Sequence, residues 1–580
     1  MTASTGWRAP LPPLQAWNGA TETLIAPADD PWRTAAEADD FSTTPTYSET
    51  LEYLERLTKA SPIIRQRTYG HSAEGRPLIL VIASLTHDNS PGRARVFVEC
   101  GIHPGEIDGK DAGLMLLRDI VFRGREDLLQ GCDWYFVPVL SPDGHERRSP
   151  FSRPNQRGPE EQGWRASAQG LNLNRDFIKA DSPEIRAILE LINELKPDLF
   201  LDLHVTDGLD YQYDITFGFQ DGPYSASPEI NSWLETTFRS TVSSALTMQG
   251  HRPGPLILPV DDRRPGLGLM LPSFPPRFSH SYGDLRHLAT VLVENHSLKP
   301  TKQRVLGTYA LLEATLRLAG QEVSALRAAT RKDCARKTRE TVLTWNASEA
   351  PVRKTLFHAI SSEFYVSPAS GAEEVRWLGN PMPPVELPLY GSTPGIKLER
   401  PRGYWIPVAE NQVIQHLKLH DIEYQISPEA VQVEVAMVRL AGVNIEPRLS
   451  ERRPVLSADC STIEVRNECF PAGSAYVPTG QPHGDLAIHL LEPACPDSLF
   501  SQGFISGMLE QVEYMESYVI APMAEEMLAS DAELQAAFEA KLAAEPAFAA
   551  DPMARLKWFY QRSPYRDDRH MLYPIGRVIE

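Results

Sequence analysis

The sequence predicts an α/β protein with a mixed central sheet flanked by helices, followed by an additional α+β region. Three observations carry this. Between residues 45 and 325, short apolar runs alternate with helical periodicities, the pattern of strands layered with helices. After about Thr330 the texture turns to shorter strand-like pieces separated by proline-rich turns. At 580 residues, 42% apolar and 23% charged, the chain is folded rather than disordered and long enough for two to four domains.

In order along the chain, residues 1–44, rich in Pro, Ala, Asp and Thr, read as an extended arm. The region 45–325 opens with the amphipathic helix "PTYSETLEYLERLTKAS". "RPLILVIAS", "RARVFVEC", "CDWYFVPVL", "PDLFLDLH" and "ATVLVENHS" then read as buried strands. "GKDAGLMLLRDIVF", "SPEIRAILELINEL" and "SPEINSWLETTFRSTVSSAL" read as helices. In the region 326–580, "EFYVS", "YWIPV", "VEVAMVRL" and "TIEVRN" are strand candidates, and Gln502 to about Arg562 reads as mostly helical packing.

The net charge of −19 argues against a general nucleic-acid binder, which would show a basic face. The six cysteines are scattered without a CxxC spacing, so no structural zinc knot or disulfide framework is expected; Cys460 with Cys469 is the one pairing left open. No apolar stretch is long enough to span a bilayer. The opening "MTASTGWRAPLPPLQAWNG" lacks the marks of a secretory signal, so the expectation is a cytoplasmic protein, or a periplasmic or secreted one whose signal was removed.

"GIHPGE" places His103 and Glu106 three residues apart. The same HxxE spacing recurs at His71 and Glu74, His420 and Glu423, and His489 and Glu492, so spacing alone decides nothing. Position does: His103 follows the strand "VFVECGI", His204 ends "LFLDLH", and Glu294 ends "TVLVE". Ligands and catalysis gather at the carboxyl ends of strands in open α/β sheets, where groups distant in sequence converge. Two imidazoles and a carboxylate suit zinc, and are too soft a set for magnesium. Glu294 would serve as general base, the alternative being a strand-end Glu paired with an arginine. In "QGLNLNRDF", Asn174 and Arg175 have the chemistry to hold a free carboxylate.

The ordered set "HPGE", "SPDG", "GLNLNRDF", "DLH" and "LVENHS" resembles the zinc carboxypeptidases of the M14, or carboxypeptidase A, type over about residues 45–315. The resemblance implies one zinc per chain held by His103, Glu106 and His204, with Glu294 as base and Asn174 and Arg175 on the substrate's terminal carboxylate. It also implies an arginine that polarises the scissile carbonyl, which is Arg165 in "GWRASAQG", with Arg157 and Arg153 as rivals. A mobile tyrosine that closes over the bound terminus is most similar to Tyr282.

Two positions depart from the family. Asn172 stands where an Asp commonly orients the first zinc histidine, which lowers the basicity given to His103. Asp176 follows the Asn-Arg pair, either pairing with Arg175 or lying on a helix surface. Asp207, three residues after His204, is an alternative ligand to Glu106, and His296 reads as supporting or structural. The function expected is removal of C-terminal residues from peptides. The alternatives are a zinc amidase acting on N-acyl amino acids or peptidoglycan-type peptides, and a carboxylate-binding protein without activity. The C-terminal region is expected to restrict substrates or to form a homo-oligomer interface.

Overall fold

The apolar runs form strands because most of them are buried on both faces. In a computed structural model, which describes residues 9–86 and 92–579, the strands are β1 (Ile64–His71), β2 (Pro77–Ala83), β3 (Ala94–Cys100), β4 (Cys132–Val137), β5 (Leu199–Val205), β6 (Ile215–Gly218) and β7 (Pro253–Gly254). After β8 (Leu269–Met270), which joins another sheet, comes β9 (Ala289–Asn295). The eight-stranded sheet has the order β1-β2-β4-β3-β5-β9-β6-β7. Its centre, β4, β3, β5 and β9, is parallel, whereas β2 and β6 join it antiparallel. All five strand expectations in the first region lie in this one sheet.

The helices are α1 (Ala35–Ala38), α2 (Tyr47–Ala60), α3 (Asp108–Phe122), α4 (Pro142–Glu146), α5 (Pro183–Leu195), α6 (Pro228–Trp233), α7 (Arg239–Met248), α8 (Ser279–Leu285) and α9 (Thr301–Ala335). Alternation along the strands divides them between two cores. Val96, Val98, Leu199 and Leu201 face a core shared with α2, α3 and α9, and Phe97 and Phe200 face one shared with α5 and α8. The second core continues into the C-terminal region through Tyr404, Ile406, Leu417 and Leu486.

Two expectations change. Residues 1–8 of the expected arm lie outside the described residues, but residues 20–44 are not simply extended. In α1, Glu37 is fully buried and pairs with Arg118 of α3 at 2.5 Å, and its carboxylate completes a capping box with Thr34. One ion pair leaves no periodicity to read. The helix α9 also runs straight through residue 325, so the texture change near Thr330 falls inside a helix.

Beyond α9, small two- and three-stranded sheets lead to a six-stranded sheet dominated by the hairpin of Val431–Ile445 and Leu456–Phe470. The terminal helices begin at Ser517 rather than Gln502. Cys460 and Cys469 are unpaired. Among the described residues, no helix is long and apolar enough to cross a membrane.

Candidate functional site

The parallel strands β3, β5 and β9 deliver the site. After Cys100 the chain turns at Gly101, whose φ of +68° is left-handed, the conformation that glycine takes without strain. The N–H of Glu106 then donates to the carbonyl of His103 at 2.9 Å, so both side chains leave one tight turn; α3 starts two residues later, at Asp108. His204 comes from the end of β5 and is paired in register with Glu294 of β9.

His103, Glu106 and His204 are 5%, 2% and 2% exposed. They form the one cluster of metal-ligating side chains found among the described residues. His103 Nδ1 lies 3.0 Å from Glu106 Oε1, His204 Nδ1 3.0 Å from Glu106 Oε2, and the two Nδ1 atoms 3.3 Å apart. The opposite edges of the rings are engaged: His103 Nε2 donates to Asn172 Oδ1 at 2.9 Å, and His204 Nε2 to Asp202 Oδ2 at 2.8 Å. When both rings are neutral and donate from Nε2, their Nδ1 lone pairs face a carboxylate, acceptors facing acceptors. A cation between them satisfies all three, and bonds of about 2.0–2.2 Å in a tetrahedron give ligand edges of about 3.3–3.6 Å. The donor set fits zinc, and its edges of 3.0, 3.0 and 3.3 Å lie at or a few tenths of an ångström below those of a filled tetrahedron.

The three other HxxE pairs are committed elsewhere. Glu74 pairs with Arg76, His420 is buried between Tyr282 and the Ile178 carbonyl, and Glu492 holds Arg577. Asp207 is half-exposed and faces Arg165 at 3.6 Å. His296 stacks on Tyr211 and bonds Asp210, a packing role.

Glu294 keeps one oxygen, Oε2, shielded from solvent and without a hydrogen bond. Burial pushes its carboxyl up to about 8, opposed by His204 and reinforced by Glu106. It is not the arginine-paired strand-end acid of the alternative reading.

Arg175 has no carboxylate within ion-pair distance among the described residues. Its guanidinium lies 3.9 Å over the Phe278 ring, and burial together with the cations of Arg165 and Arg277 lowers its pKa to about 10. A half-buried cation crowded by cations is suited to receive an anion. Asn174 lies beside it, with Oδ1 accepting from Ser279 N at 2.9 Å and Nδ2 3.2 Å from His204 Nε2. Asp176 takes neither expected place: it is fully buried, holding Lys179 and the N–H groups of Asp181 and Ser182.

Of the three arginines considered for the carbonyl, Arg157 is bound to the Leu298 carbonyl and to Pro12. Arg165, 43% exposed, reaches Glu106 Oε1 at 3.5 Å. Arg153, 5% exposed, lies 2.8 Å from the same oxygen. A Cβ on Gly105 would come within 2.7 Å of Arg153 Cγ, so the glycine admits this arginine. Tyr282 is a correction: its hydroxyl bonds His420 at 2.8 Å, within the core of α5 and α8, and closing over a substrate would break a buried hydrogen bond.

Sequence reasoning missed Asp202. It lies two residues before His204, on the same face of β5 by the strand period, and Ser279 Oγ donates to it at 2.5 Å. It also missed Glu451, whose Oε2 accepts from the Asn172 N–H at 2.7 Å, for which no sequence signal exists.

A mixed sheet carrying a buried His-Glu-His cluster at its strand ends defines an α/β protein with a candidate metal centre. Residues 50–254 match the family model for zinc carboxypeptidases, Peptidase M14. Carboxypeptidase 2 of Trichophyton tonsurans is 23% identical over 493 residues, covering 80% of this chain and 85% of that one. Carboxypeptidase D of Rattus norvegicus is 27% identical over 246 residues, 35% of this chain and 18% of its own length. A solved structure of carboxypeptidase A from Helicoverpa armigera aligns with 54% of this chain and 80% of its own at 19% identity, with a TM-score of 0.37. Over residues 50–254, the chain is similar to the zinc carboxypeptidases of the M14 family.

Proposed function

We propose that the chain hydrolyses the C-terminal peptide bond of peptides at a zinc ion held by His103 Nδ1, His204 Nδ1 and Glu106. The observation that supports this most strongly is the convergence of His103, Glu106 and His204, with Glu294 paired in register with His204 and keeping one buried oxygen without a hydrogen bond. Zinc, when bound, supplies Lewis-acid activation of the water and of the substrate carbonyl. Glu294, with a pKa raised toward neutrality, takes the proton of the attacking water and returns it to the leaving nitrogen. Arg175, with no carboxylate of its own, binds the substrate's terminal carboxylate, and Asn174 adds an amide contact. Arg165 is exposed enough to turn its free N–H donors to the carbonyl oxygen, while Arg153 stays behind Glu106.

Chelator treatment followed by zinc should abolish and then restore peptidase activity. Glu294→Gln should retain zinc while losing about 10²–10⁴ in kcat; unchanged kcat removes Glu294 from the mechanism. Arg175→Ala should raise KM for peptides with a free terminus and leave their amidated forms, poor substrates from the start, unaffected.

A further inference from the structure

We propose that Glu451, in the C-terminal region, is a positioning residue for the metal centre and acts through Asn172. The inference rests on reading His103, Glu106 and His204 as the metal site.

The contact spans 279 residues of sequence: Asn172 N–H donates to Glu451 Oε2 at 2.7 Å. The same Asn172 uses its side-chain Oδ1 to accept from His103 Nε2 at 2.9 Å and from Asn174 N at 3.1 Å. One residue, Asn172, thus links a carboxylate through its backbone N–H to a metal-facing imidazole and the Asn174-Arg175 pair through its side-chain amide oxygen. Asn172 carries no charge, and Glu451 brings one to the far side of its peptide, where a charge-assisted bond fixes the orientation of the loop.

The hairpin tip is built for this. Ser450 and Arg453 exchange two backbone hydrogen bonds, at 2.9 and 3.1 Å, across a two-residue turn. Its central residues, Glu451 and Arg452, have φ of +48° and +71°. Positive φ at both centres is the type I′ pattern, for which Asn-Gly is the favoured pair. Two long side chains held there are a backbone outlier of the kind that marks function. The tip is also clamped: Arg453 forks onto Asp181 at 2.6 and 2.7 Å and lies 3.9 Å over the Phe504 ring. Asp181 closes the loop that begins at Asn172, so Glu451 is held in register with its target.

The test uses the full chain, stripped of metal and titrated with zinc against a competing chelator. The double variant Glu451→Asn with Arg452→Gly installs the favoured turn pair and removes the reach of the carboxylate. Zinc affinity should fall about tenfold, while the thermal midpoint of the metal-free protein stays the same or rises. Glu451→Gln keeps an acceptor oxygen without the charge and should recover part of the affinity. Equal zinc affinity in the double variant and the wild type overturns the positioning role. Failure of the wild-type chain to bind zinc overturns the metal-site reading itself and this inference with it.

Discussion

At the scale of single residues, the site divides its two histidines unequally. His204 donates to a buried carboxylate, Asp202, and His103 to a neutral amide, Asn172. A carboxylate behind an imidazole raises its basicity and fixes its tautomer more strongly than an amide does. Asp202→Asn should therefore weaken zinc binding by about 10–100-fold, and Asn172→Asp should strengthen it; chelator competition measures both. Equal affinities across the series would show that these partners only fill space. His103, Glu106, His204 and Glu294 were legible because each follows or ends an apolar run, so strand ends could be read without coordinates. Tyr282 was not: a tyrosine near the right place in the chain says nothing about which way its hydroxyl points, and here His420 takes it.

Among the elements, α3 and α4 show how closely the site's supports are packed. Gly113 of α3 lies against Phe136 of β4, where a Cβ would fall 2.2 Å from the ring. Gly113→Ala should destabilise the fold by about 1–3 kcal/mol, read from the urea midpoint.

In α4, buried His145 accepts from Lys110 Nζ at 3.1 Å and donates from Nδ1 to Glu146 at 3.0 Å. Burial, with Lys110 adding to it, pushes His145 down to about 4. An imidazole depressed in the folded state contributes stability that is complete above its unfolded value near 6.5 and is lost as the pH falls toward 4. Denaturation midpoints of wild type and His145→Gln should thus diverge less at pH 4.5 than at pH 7. A pH-independent gap would remove His145 from the acid response. The strands and helices of the first region were legible from periodicity because each buries a continuous apolar stripe. The short α1 was not, because a single buried ion pair, Glu37 with Arg118, holds it in place.

At the scale of the whole molecule, the second of the two cores crosses the boundary seen in the sequence. Phe97, Phe200, Ile188 and Tyr282 pack in the same cluster as Tyr404, Leu417, Leu486 and Tyr573. Texture changes mark where strands shorten and prolines accumulate, whereas cooperativity follows shared apolar burial. The full chain should unfold in a single calorimetric transition across both halves. A chain ending at Arg336 should be insoluble, because it exposes the α5 and α8 side of that cluster; a soluble, folded truncation would refute this.

The contact between Asn172 and Glu451 also sets a schedule. During synthesis at about 5–20 residues per second, the sequence separation of 279 takes on the order of tens of seconds to cross. Until then the growing polypeptide carries its histidines without the clamp that completes their surroundings. Ribosome-stalled chains ending before Glu451 lack both the shared core and this contact and should hold zinc more loosely than chains released in full, so the site ripens only after most of the chain has been made.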